Sequence, residues 1–406
     1  MTRPYDLIVF GASGFTGRLI AEVLLHNHGV NKTLRWAMAG RSLTKLQEVR
    51  SGLGADKSLD LLAADAADAA AMGRLVAQTR AVISTVGPYQ LYGNALVQAC
   101  ARAGTDYVDL CGEPGWMAHM IPRLQGPAQA SGARIVFSCG FDSIPFDLGV
   151  TFLQHHALQT FGVPLQRVGC RVGAMKGGPS GGTIASLLAT VEAMRREPAL
   201  ARSMANPFAL TPGFVGPTQP DGQGAWYDPL AQAWTAPFVM AAINTKNVHR
   251  TNALRGHPWG RDFVYDERVL ARDKAVAHTL ARQDRMQNMA LAFGPVRGLL
   301  KRFVLPKPGQ GPTRQQRENG HFELLFMGQT SDGRSLQARV RGDRDPGYGS
   351  TSKMVTESAL CLLGDVDASM TGGGVWTAGA AMGMALVRRL QANAGLTFEL
   401  LPLSAR

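Results

Sequence analysis

Gly11-Ala12-Ser13-Gly14-Phe15-Thr16-Gly17 stands between an apolar burst, Leu7–Phe10, and a stretch of helical periodicity, Arg18–His28. Glycines at this G-x-x-G-x-x-G spacing let the chain turn tightly, bring backbone N–H groups against a pyrophosphate and pack the helix close to the strand. The positive end of the helix dipole then faces the phosphates. The pattern predicts dinucleotide binding by Gly11, Ser13, Gly14, Phe15, Thr16 and Gly17; a glycine-rich turn without a ligand is the alternative. A nucleophilic role for Ser13 is not expected, since the G-x-S-x-G elbow is absent.

The end of the second strand selects the cofactor. NAD sites carry an acid there for the ribose hydroxyls. Here Leu34–Arg41 contains none, and Ala39-Gly40-Arg41-Ser42 is followed one turn later by Lys45. An arginine pairs bidentately with a 2′-phosphate, so Arg41, Ser42 and Lys45 predict NADP(H) over NAD(H). Asp65 ends the third strand, suited to the adenine amino group or to capping a helix. Thr85-Val86-Gly87-Pro88-Tyr89 ends the fourth, where the nicotinamide half belongs; Tyr89 reads as near the reacting ring or as packing. Asp142 and Ser143 follow the sixth strand at the mouth of the sheet, as ligand-facing groups or as N-caps of the next helix. Glu113, Ser180–Thr183, Tyr348 and Lys353 are further groups able to reach a cleft.

These residues need a scaffold, and the first 140 positions supply it. Strands at Leu7–Phe10, Leu34–Ala39, Asp60–Ala64, Ala81–Val86, Tyr107–Leu110 and Ala133–Ser138 alternate with helices, the last over Arg123–Ser131. That rhythm predicts an α/β fold with a doubly wound parallel sheet. Beyond it, helices are expected at Ile144–Thr160, Thr183–Arg196, Ser350–Leu363 and Trp376–Asn393. Strands are expected at Leu165–Val172 and Thr397–Leu401, with a hairpin of His321–Gln329 and Ser335–Gly342. The implied organisation is a Rossmann domain over residues 1–145, an α+β domain over 146–345, and a C-terminal segment, 346–406, that packs back on the first lobe.

Composition removes other classes. The chain has 406 residues, 45% hydrophobic and 18% charged, an ordinary globular balance. Its longest weakly polar run, Gly374–Val387, is shorter than the roughly 18–20 residues a spanning helix needs. No secretory leader is evident, and five scattered cysteines without a C-x-x-C pair fit a reduced cytoplasmic setting and no metal site. The net charge of +12 is concentrated between Glu267 and Arg317, which carry a net +8. No nucleic-acid recognition motif accompanies it. Met286, Met289, Phe293, Val296, Leu300 and Phe303 recur at helical spacing beside Arg297, Lys301 and Arg302. Residues 286–304 therefore read as a core helix or as a peripheral contact with an acidic membrane. Nothing in the sequence speaks to oligomeric state.

The glycine string, Trp36-Ala37-Met38-Ala39-Gly40-Arg41-Ser42 and Thr85-Val86-Gly87-Pro88-Tyr89 together resemble the saccharopine dehydrogenase-like oxidoreductases, in the branch of bacterial trans-acting enoyl reductases. The likeness continues through Tyr107–Glu113, Gly140–Pro145, Ser180–Thr183, Pro306–Pro312, Asp345–Tyr348 and Gly372–Thr377, so it spans nearly the whole chain. Ala378 departs from it, where a proline is expected after the threonine. The resemblance implies an NADPH-dependent reductase of the enoyl C=C bond in a small, lipid-like or polyketide-derived molecule. Such a reduction needs a hydride on one carbon and a proton on its neighbour, with Tyr89 and then Asp142 as candidate donors. A reductase of amino-acid-derived imines, or a non-catalytic NADPH-binding scaffold, are the rival readings.

Overall fold

A computed structural model describes residues 3–177, 181–197, 201, 204–292 and 311–402. Six early strands, β1 (Tyr5–Phe10), β2 (Trp36–Gly40), β3 (Leu61–Ala63), β4 (Thr79–Ser84), β5 (Asp106–Asp109) and β6 (Arg134–Val136), join a late one, β13 (Gly374–Trp376). They form one parallel sheet in the order β13-β6-β5-β4-β1-β2-β3. The interleaved helices are α1 (Phe15–His28), α2 (Leu43–Gly52), α3 (Ala69–Val76), α4 (Tyr89–Tyr92), α5 (Asn94–Ala103) and α6 (Pro114–Ser131). The strands are short and almost wholly buried, as a sheet covered on both faces requires. The strand order reverses between β1 and β4, and α/β sheets bind ligands at the C-terminal ends of the strands at such a reversal.

The second sheet is mixed. It contains β7 (Arg167–Lys176), β8 (Trp226–Asp228), β9 (Ala233–Pro237), β10 (Val264–Ala271), β11 (His321–Gln329), β12 (Ser335–Gly342) and β14 (Leu396–Leu400). The order is β14-β12-β11-β7-β10-β9-β8, antiparallel except for β7 with β10. Its helices are α7 (Ile144–Phe161), α8 (Gly181–Arg196), α9 (Ala241–Leu254), α10 (Lys274–Ala292) and α11 (Arg314–Glu318). The returning segment adds α12 (Thr351–Gly364), α13 (Ala378–Ala381) and α14 (Gly383–Asn393). One apolar core runs from Leu7, Val9, Met38 and Ile83 through Phe146 to Phe326 and Val340, so both sheets bury against shared helices. A second cluster fills the opposite face of the parallel sheet under α3, α5 and α6.

Several elements differ from the sequence reading. The helix expected at Arg123–Ser131 begins at Pro114, which occupies its first turn; Pro122 and Pro127 disguise the extension. Trp376–Asn393 is not one helix. Gly374–Trp376 pairs with β6, Thr377 caps the short α13 through Ala380 N, and α14 starts only at Gly383. Nothing local marks β13, because its pairing partner lies over two hundred positions away. The helix of residues 286–304 is described only to Ala292. There it is no core helix, since Met286 is 69% and Met289 64% exposed. Among the described residues no helix is long and apolar enough to cross a membrane.

Candidate active site

The glycine loop is built by close approach. Gly11 lies at φ 89°, and a Cβ there would stand 2.5 Å from Thr85 Oγ1 and 2.7 Å from Val86 Cγ2. A Cβ on Gly17 would lie 2.7 Å from Ala12 Cα and overlap the Gly11 carbonyl oxygen. Gly14 N-caps α1 without a side chain and is exposed, so the first amides of the helix are open to a ligand. This backbone, lacking Cβ atoms where chains nearly touch, fits the pyrophosphate of a dinucleotide. Thr85 Oγ1 lies 3.2 Å from the carbonyl oxygens of both Phe10 and Gly11, tying the fourth strand end to the loop.

The groups expected around the adenosine lie beside it. Ser13 reaches the end of β2, since a Cβ on Gly40 would lie 3.6 Å from its Oγ. Ser42 caps α2, its Oγ accepting from Lys45 N at 3.3 Å. Arg41 and Lys45 are exposed, and among the described residues neither side chain has a hydrogen bond or ion pair. Two unpaired cations at this strand end suit a phosphate. Asp65 accepts from Ala67 N at 3.0 Å, but the helix cap is Asp68, whose carboxylate takes Ala70 N and Ala71 N. Thr16 is half-buried in the first turn of α1. The Phe15 ring turns to the C-terminal segment, edge-on to Tyr348 at 5.0 Å, which leaves its backbone amide for a ligand.

Val86, Gly87 and Pro88, expected beside the nicotinamide, follow β4, and a Cβ on Gly87 would meet Ser186 Oγ of α8 at 3.5 Å. The Tyr89 hydroxyl is engaged inside the parallel sheet. It donates to the Ser84 carbonyl at 3.0 Å and accepts from Leu110 N at 3.1 Å, inside the sheet. Burial raises it well above the usual phenol range, and these two bonds favour a strut between two strand ends over the proton donor expected. Glu113 is likewise occupied: its carboxylate takes Tyr89 N at 2.8 Å, Gln90 N at 3.0 Å and Ser186 Oγ at 2.7 Å.

Asp142 has the opposite character. It is half-buried after β6, its carboxyl beside Gly112 at the end of β5, and among the described residues it accepts no hydrogen bond. Burial without compensation pushes it up to about 7. It caps nothing, and Ser143 makes no side-chain cap bond either; Ser143 Oγ accepts instead from Asn247 Nδ2 at 2.9 Å. One turn earlier on α9, Asn244 Nδ2 donates to Glu267 Oε2 at 2.9 Å, while Tyr265 donates to Glu267 Oε1 at 2.9 Å. Burial pushes Glu267 up to about 8, with Asp266 and Asp142 adding to it. Asn244, Asn247 and Glu267 are the residues the sequence reading missed. Their signal was faint: polar side chains at helical spacing, and an acid pair inside an otherwise buried strand.

Lys353 is half-buried on α12, and Tyr348 is buried against Phe15. Ser180 and residues 306–310 lie outside the described residues, as do the side chains of residues 181–184. All five cysteines are free and buried. Among the described residues no group of His, Cys, Asp or Glu could hold a metal.

The saccharopine dehydrogenase NADP binding domain model matches residues 7–136, the glycine loop and Arg41 included. A Mycobacterium tuberculosis protein provisionally named trans-acting enoyl reductase is 40% identical over 98% of this chain and 97% of its own length. A trans-acting enoyl reductase of Mycobacterium bovis is 36% identical over 96% of each chain. The apo saccharopine dehydrogenase (L-Glu forming) of Saccharomyces cerevisiae shares the fold at a TM-score of 0.53 and 13% identity, covering 98% of this chain and 100% of that one. The chain therefore belongs to the saccharopine dehydrogenase-like oxidoreductases, alongside the trans-acting enoyl reductases, and is an NADP(H)-dependent enzyme.

Proposed function

We propose that this chain reduces the activated C=C bond of a lipid-like or polyketide-derived enoyl substrate. The observation that carries the reading is the Asp142 carboxyl, raised by burial and without a hydrogen bond among the described residues, after β6 of the parallel sheet. NADPH, when bound, supplies the hydride. Gly11, Ser13, Gly14, Thr16, Gly17 and the Phe15 amide hold its pyrophosphate; Arg41, Ser42 and Lys45 take the 2′-phosphate; Asp65 takes the adenine amino group. Thr85, Val86, Gly87 and Pro88 bound the nicotinamide half. Asp142, about half protonated at neutral pH, gives its proton to one carbon of the alkene while the hydride adds to the other. The remaining carboxylate recovers its proton from water, which its partial exposure admits.

The surroundings favour an uncharged reacting group. The groups that act on Glu267 are carboxyls, an amide and a phenol, and burial alone acts on Asp142. A zwitterionic imine would want converging cations there. The exposed Met286 and Met289 on the basic stretch further support a peripheral contact with a membrane that delivers lipid-like substrates, consistent with a cytoplasmic protein at the inner membrane face. The test is stoichiometric: the intact chain with NADPH and a medium-chain 2-enoyl thioester should consume NADPH and yield the saturated thioester. Consumption only with a 2-oxo acid and an amine would favour the imine reading, and tight NADPH binding without either turnover would favour a scaffold.

A further inference from the structure

We propose that Arg317 on α11 is a cofactor-binding residue supplied by the second lobe, placed to pair with the pyrophosphate held at the N-terminus of α1. The inference rests on the glycine loop being the phosphate cradle, as proposed above. The Arg317 guanidinium lies over the Phe15 ring, 5.6 Å from its centroid, and Phe15 is the first residue of α1. Phe15 is gripped on its other sides too. Tyr348 meets it edge-on, and a Cβ on Gly311 would lie 2.5 Å from the ring. This fixes the height of the guanidinium above the first turn of the helix.

Among the described residues Arg317 forms no ion pair. Arg317 is half-buried, and Nη1 donates to the Pro312 carbonyl at 2.9 Å; Nε and Nη2 have no hydrogen bond among the described residues. Two acids stand near, and both are engaged. Glu318 pairs with Arg314 at 2.9 Å. Asp345 spends its carboxylate on Tyr348 N at 3.0 Å and Gly349 N at 2.8 Å, holding the turn of Pro346–Ser350 against α1. The first turn of α1 has no acid to satisfy a cation either. A partly desolvated guanidinium with an open edge beside a helix N-terminus is a bidentate phosphate ligand.

Isothermal titration of the intact protein tests this without turnover. Arg317→Gln should weaken NADPH binding about tenfold to a hundredfold, the range for losing a charge-assisted contact. It should also flatten the dependence of the dissociation constant on salt. Adenosine 2′-monophosphate, which has no pyrophosphate, should bind both proteins alike. An NADPH affinity within twofold of the unmodified protein overturns the proposal. Equal weakening of both ligands also overturns it, because Arg317 would then only shape the site. If the unmodified protein binds adenosine 2′-monophosphate but not NADPH, the cradle reading itself fails. Should the Gln variant not fold, Arg317→Lys takes its place: it keeps the charge without the fork, threefold or greater weakening is expected, and unchanged affinity overturns the assignment.

Discussion

Replacing Asp142 with Asn removes the proton and little else. The carboxyl accepts no hydrogen bond among the described residues, so the amide leaves no partner stranded. Burial raises the carboxyl to about 7, so roughly half is protonated at neutral pH and about a tenth at one unit higher. The first-order rate of NADPH consumption with an enoyl thioester should therefore hold steady in mild acid and fall about tenfold per pH unit in base. A positioned general acid contributes about 10²- to 10⁴-fold, which sets the loss expected for Asp142→Asn. The variant should also lose the basic limb of the profile and keep the NADPH dissociation constant. Anaerobic stopped-flow absorbance under single-turnover conditions measures all three. An Asn variant of undiminished rate, or one that retains the same basic limb, would refute the assignment.

Three further outcomes follow from the same geometry. Arg41→Asp should erase most of the preference for NADPH over NADH, about 1.5–3 kcal/mol for a charged contact, as read by titration with both cofactors; equal affinities in the unmodified protein would contradict the 2′-phosphate site. Asp109 and Asp142 at about 7 and Glu267 at about 8 all lie above the values of free acids, so the folded state binds their protons more tightly. Stability to urea should consequently fall as pH rises from about 6.5 to 8, by on the order of 1 kcal/mol or more, a window above the range where the buried His249, lowered to about 3, opposes the trend; a flat or rising profile would show that these carboxyls are not buried neutral. Finally, Met286→Ser with Met289→Ser should reduce co-sedimentation with anionic vesicles at low salt, and no pelleting of the unmodified protein would retire the membrane contact.

What was legible in the sequence was whatever a local pattern encodes. Glycine spacing between a strand and a helix marks the phosphate loop, and alternation marks the parallel sheet around it. The hairpin of β11 and β12 announces itself through two strands flanking Ser331-Asp332-Gly333. α9 and β10 escaped because burial there is not apolar. On α9, Asn244, Lys246, Asn247, His249, Arg250, Thr251 and Asn252 are all buried, so no hydrophobic stripe betrays the helix. Its polar groups are satisfied across the fold instead, as when Arg250 donates to the carbonyls of Leu210 and Val375. β10 hides in the same way, with Asp266, Glu267 and Arg268 buried in a strand interior. Tyr89 shows the other limit. Its place at the end of β4 was readable, but the direction of its hydroxyl depends on Leu110, one strand over.

In the proposed reaction hydride reaches an activated alkene while Asp142 protonates the neighbouring carbon. Carrying out the reaction with NADPH deuterated at the transferring position, in ordinary water, tests it most directly by mass spectrometry and NMR of the product. One deuterium should appear on the carbon β to the thioester and none on the α carbon, with the α hydrogen drawn from solvent. A saturated product without deuterium, or deuterium on the α carbon, would contradict it.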